Sequence, residues 1–146
     1  MSADVCTEER LRIVESYFRK VDDRDPTVMD LFTDDVEMFF PKFGVGRGKE
    51  DMILFSKLME EHLECLEHDI EAFNYIVSKD CVVVEGTERG VTRDGVQWPD
   101  GRISEGRFCN VFEFEGKLIC RVFIYVDPDY TSSDQDRIDV FERSAT

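Results

Sequence analysis

Several things are scarce in this chain. In 146 residues it has two His, one Trp and four Pro, and 18 basic residues stand against 33 acidic ones. The resulting net charge of −15 argues against nucleic acid and anionic membrane as partners, because phosphates would be repelled. No apolar run approaches the ~18 residues a membrane-spanning helix needs, so none is predicted. Met1-Ser2-Ala3-Asp4 has neither a basic start nor an apolar stretch, so no secretory leader is expected there. Five Cys are present, at positions 6, 65, 81, 109 and 120, without a single CxxC. The odd count and the spacing speak against a disulfide framework and against zinc, and no metal is expected. Free thiols predict a reducing, cytoplasmic setting.

What is abundant is apolar and aromatic. The hydrophobic fraction is 42% and there are 12 Phe, which fits a globular chain with a bulky core, an aromatic-lined cavity, or both. The length predicts one domain over 1–146, with a core of about 7–130 and a polar tail over 131–146. Thr7-Glu8-Glu9 opens a helix, with a cap and acidic residues at its positive end. Leu11, Val14, Phe18 and Val21 carry its apolar spacing to about Asp22. Asp25-Pro26 starts a second, short helix, and Val36 to Phe40 reads as a strand stopped by Pro41. The stretch Gly44 to Gly48 lacks the spacing and the Lys-Ser/Thr ending of a phosphate loop, and is read as a loop and helix entry. A third helix is expected from Lys49 to about Cys65, facing inward with Met52, Phe55, Met59, His62 and Leu66. Four strands follow: Asp69 to Val77, Cys81 to Gly90, Ile103 to Phe114 and Lys117 to Val126. Helices segregated from an antiparallel sheet make an α+β domain, and a strongly curved sheet under helices leaves a hollow.

Strand parity nominates residues for that hollow. Glu88 shares a face with Val82 and Val84, and Asn110 shares one with Phe108, Phe112 and Phe114. A carboxylate among apolar neighbours is the kind of group acid–base chemistry uses. A buried Asn must find a hydrogen bond, in the core or on a ligand. The last strand has two registers. One points Arg121, Phe123 and Tyr125 inward, the other Val122, Ile124 and Val126, and a one-residue slip exchanges them. Trp98 lies in a loop able to cover the mouth.

The order of elements, Tyr17, the run Leu31-Phe32-Thr33-Asp34-Asp35-Val36, Gly46-Arg47-Gly48 and Tyr125-Val126-Asp127-Pro128 resemble the nuclear transport factor 2-like superfamily. More narrowly they look like its SnoaL-like branch of polyketide cyclases, with ketosteroid isomerases and scytalone dehydratase as relatives. The resemblance covers about residues 7 to 130. It implies a cone-shaped fold, a curved mixed or antiparallel sheet wrapped by three helices around a pocket. It is specific for fold and open on activity, since this fold hosts many chemistries.

Set against ketosteroid isomerases, Tyr17 and Asn110 fall at the positions of the oxyanion donors, while Phe40 replaces the basic Asp. Set against limonene epoxide hydrolases, only Glu88 meets an acid position. The fuller match is to scytalone dehydratase, which implies Tyr17 as the carbonyl donor, Asp22 as the orienting acid and His68 as a base of near-neutral pKa. His62 is the candidate for a second His. Phe40, Phe55, Met59, His62, Trp98, Phe108, Phe112, Arg121 and Tyr125 are then expected to bind substrate. Three readings stay open: a cofactor-independent dehydratase, isomerase or cyclase acting on an apolar oxygenated molecule of polyketide, steroid or terpenoid type, a non-catalytic small-ligand pocket, and an interaction domain. All are compatible with a homodimer across the outer sheet face, where Val83, Cys109 and Val111 need cover.

Overall fold

A computed structural model describes residues 7–100 and 105–126. The expected tail over 131–146, the Asp127-Pro128 ending and the expected strand start at Ile103 lie outside the described residues. Helix α1 spans Thr7–Asp22, and a 3-10 helix spans Pro26–Leu31. Strands β1 (Phe32–Phe40) and β2 (Gly44–Arg47) lead into α2 (Gly48–His62). After it come β3 (Leu63–His68), a single 3-10 turn, β4 (Asn74–Ser78), β5 (Cys81–Thr92), β6 (Gln97–Trp98), β7 (Arg107–Glu115) and β8 (Leu118–Val126).

The sheet runs β2-β1-β8-β7-β5-β3, with β4 and β6 also paired to β5. It is mixed: β1 and β8 are parallel and the other pairs antiparallel. β5 serves two sets of partners. Its first half lies between β4 and β7, and its second between β3 and β6. That change of partner curls the sheet into the expected α+β cone.

α1 lies across the concave face because Arg10, Val14, Tyr17 and Phe18 recur on one side of it and are buried. Val14 and Phe18 are fully buried in one apolar core with Val36, Val82, Val84, Phe112 and Val122. Burying a side chain like Phe18 contributes roughly 2–3 kcal/mol. Arg10 fixes the end of α1 away from Tyr17. Its guanidinium donates to the Gly116 and Lys79 carbonyls and to Asp80 at 2.8 Å, and it lies over the Phe114 ring. This satisfies a cation that burial would otherwise penalise.

The structure corrects three expectations. The expected strand Asp69 to Val77 starts only at Asn74, after a 3-10 turn over Ile70–Ala72, whereas the short middle helix is present, as a 3-10 helix that Asp25 caps as expected by accepting from Thr27 N–H at 2.9 Å. Gly44–Arg47 is a strand, because its backbone pairs with β1 from Glu37 to Phe40. The third helix stops at His62, and Leu63–His68 crosses into the sheet against β5.

Candidate functional site

Three elements bring the ionisable residues together. α1 ends on Asp22, an unfavourable place for an acid because helix carbonyls crowd there. The acid has partners elsewhere: Asp22 Oδ2 accepts the backbone N–H of His68 at 2.8 Å, and Oδ1 lies 2.5 Å from His68 Nδ1. Arg24, two residues further on and in left-handed conformation (φ 56°), donates to the Leu63 and Glu64 carbonyls. Two residues thus stitch the helix end to β3. On the other side, β3 pairs with β5 so that His68 stands directly opposite Glu88. Opposed residues project side by side, and His68 Nε2 comes within 3.3 Å of Glu88 Oε2. The imidazole is therefore held between two carboxylates, with side-chain exposures of 7% for His68, 15% for Asp22 and 8% for Glu88.

Burial by itself would lower the His68 pKa. The hydrogen bonds to Asp22 and Glu88 and the charges of both acids outweigh it, and the pKa is pushed up to about 9. His68 is accordingly an imidazolium at neutral pH, donating from both ring nitrogens, rather than the near-neutral base expected from the sequence. Its ring is boxed by Phe18 at 4.9 Å and Phe108 at 5.1 Å between centroids. Tyr17 is buried against Phe18, Phe32 and Phe112. Burial first, then the Glu88 and Asp22 charges, raises its pKa, so it stays a protonated donor.

These groups face a cavity of about 340 Å³, within the size range of small-molecule sites. Tyr17, His68, Glu88 and Asn110 line it, as do Phe40, Phe55, Met59, Trp98 and Phe108. Asp22 sits behind His68 rather than on the wall. Four expected pocket residues lie elsewhere. His62 ends α2 on the surface, because the helix turns into β3 before that face can close. Phe112 is fully buried beneath Tyr17 and Phe18 as core. Arg121 and Tyr125 point outward, because β8 takes the register that turns Val122, Ile124 and Val126 inward. Met29 and Lys20 line the cavity unforeseen, and Leu66, expected to face inward from the third helix, lines it from β3 instead. Leu66 was legible as apolar but placed on the wrong element, and Lys20 carried no sequence signal. Among the described residues no set of His, Cys, Asp or Glu is arranged to hold a metal ion.

Two glycines of β5 shape this wall. A Cβ on Gly86 would lie 2.6 Å from the Phe73 ring, and one on Gly90 would lie 2.4 Å from the Trp98 indole and 2.5 Å from the Cys65 carbonyl. Gly86 and Gly90 flank Glu88 on the same face, so rings close in on either side of the acid.

Fold and site together define a class: an α+β cone of the nuclear transport factor 2-like type, with a cluster of ionisable groups on the wall of an apolar pocket. The chain belongs to the SnoaL-like domain family, whose model matches residues 14–122. In structure it is similar to a nuclear transport factor 2-like protein of unknown function from Burkholderia pseudomallei (TM-score 0.70, 20% identity, 90% of this chain and 98% of that one). It is also similar to a candidate polyketide cyclase from Xanthomonas campestris pv. campestris (TM-score 0.68, 15% identity, 82% and 91%). A third likeness is to TerC, co-crystallised with polyporic acid (TM-score 0.69, 18% identity, 88% and 96%). No curated protein matches the chain in sequence.

Proposed function

We propose that the chain is a cofactor-independent acid–base enzyme, of the dehydratase, isomerase or cyclase kind, acting on an apolar oxygenated small molecule. The observation that carries this reading is the His68 imidazole clamped between Asp22 and Glu88 on the wall of a mostly apolar pocket. Glu88 is the base. It faces the cavity and takes a proton from carbon beside a carbonyl, while the Tyr17 O–H donates to the carbonyl oxygen as charge builds there. His68 returns a proton from Nε2 to a leaving hydroxyl, which departs as water, and then recovers one from the newly protonated Glu88. Asp22 positions the ring through Nδ1. In isomerisation the same proton goes back to a different carbon. Asn110 meets a second oxygen substituent.

Proton abstraction can be followed without the natural substrate. With 2-tetralone in D₂O, the protein should accelerate exchange of the α-protons, read by NMR. Glu88→Gln should lose about 100-fold or more of that rate while still binding the ketone. No acceleration by the native protein, or a Glu88→Gln variant as fast as native, sinks the reading.

A second copy of the chain is the partner we propose for the outer sheet face. There Phe39 packs against both Phe123 and Tyr125, with ring centroids 5.6 Å apart in each pair, and Tyr125 is 47% exposed. Arg121 lies over Phe123 and pairs with Glu113 at 2.8 Å, so the local charge is neutralised within each copy.

A further inference from the structure

Asn110 is 3% exposed on the pocket wall, and its side-chain oxygen is buried with no hydrogen-bond partner among the described residues. Its neighbours offer none. Val84 and Ile124 stand opposite it on β5 and β8. Phe108 and Phe112 flank it on its own strand, on the same face. An acceptor stranded this way costs stability. Leu in the same space would cost less, so the amide is better understood as kept for something that enters the pocket.

We infer that Asn110 selects ligands that carry a hydroxyl, a phenol or enol whose O–H hydrogen-bonds the amide while the ring lies against Phe108 and Ile124. The amide turns about its last torsion at small cost. A hydroxyl is donor and acceptor at once and satisfies the amide in either orientation, whereas an ether or ketone only accepts. The inference rests on the proposed function in one respect, that this pocket is the ligand site. It adds which oxygen substituent the substrate keeps beside β7.

Calorimetric titration with 1-naphthol and 1-methoxynaphthalene tests it. The native protein should bind the naphthol tighter by about tenfold or more, the scale of one unmet buried hydrogen bond. Asn110→Leu should lose that preference, take the ether at least as well as native does, and melt at a higher temperature. The Asn110 side-chain amide resonances should move with naphthol and stay put with the ether, which decides the matter even if Asn110→Leu does not fold. Equal affinities, no binding of naphthol at millimolar concentration, or a preference surviving in Asn110→Leu each overturn it. An Asn110-dependent preference in a protein that exchanges no protons would sustain the inference and sink the enzyme reading. Exchange without the preference would do the reverse.

Discussion

At the scale of single residues, the informative feature is an acid where an acid does not belong. Asp22 ends a helix, and its carboxylate is held there by two hydrogen bonds from His68. A residue that breaks a local rule and is compensated from afar is a mark of function. Its consequence can be read in stability. His68 has a folded pKa of about 9, above its ordinary 6.5, so its contribution is fully present below about pH 6.5 and is lost as pH rises through about 9. The amount is about 3 kcal/mol. Unfolding in urea should show a midpoint that falls between pH 6.5 and 9.5. Asp22→Asn, which keeps the shape and removes a charge, should flatten the fall, and an unchanged slope would show that His68 is not the group titrating. Burial also holds the Cys81, Cys109 and Cys120 thiols above their ordinary pKa, so they add to the fall only toward the top of that window, where the thiols of the unfolded chain ionise. Tyr17, Glu88 and Asn110 were legible beforehand, because helix spacing and strand parity are local properties. The pairing of His68 with Glu88 was not, since it depends on the register between two strands twenty residues apart in sequence.

At the scale of elements, the misread segments share one cause. Gly44–Arg47 and Leu63–His68 have little strand character of their own, and become strands because β1 and β5 present unpaired edges to them. The last strand was undecided because its two faces, Arg121-Phe123-Tyr125 and Val122-Ile124-Val126, are both substantially apolar. Only pairing with β7, displaced by an irregularity between Glu113 and Phe114, chooses between them. The long apolar strands β5 and β7 were legible almost to their ends. What β5 did not announce is why it carries Gly86 and Gly90. Gly90→Ala tests the close approach to Trp98. A methyl 2.4 Å from the indole and 2.5 Å from a backbone carbonyl cannot be absorbed by side-chain motion alone. The variant should lose about 1–3 kcal/mol, and its Trp98 emission should shift to the red. That residue is the chain's one Trp and is 1% exposed, so the signal belongs to it alone. Native stability with unshifted emission would mean that β6 is not seated on β5 as described.

At the scale of the whole molecule, charge and shape pull against each other. A net charge of −15 makes every pair of copies repel at long range. The aromatic face of β1 and β8 nonetheless leaves Tyr125 47% exposed and is flanked by ion pairs closed within the chain. Two copies meeting there would bury rings against rings without stranding a charge, and the remaining repulsion would be diffuse and open to screening. Association should therefore strengthen with salt, the opposite of an interface built on attraction between charges. In sedimentation velocity the native protein should shift toward dimer between 20 and 300 mM sodium chloride, roughly a fall in the Debye length from over 20 Å to under 6 Å. Phe123→Glu should remain monomeric throughout, because a carboxylate there would be buried without a partner and would add repulsion beside Glu37 and Glu113. If Phe123→Glu dimerises as the native protein does, or if salt weakens association, the sheet face is not what joins the two copies.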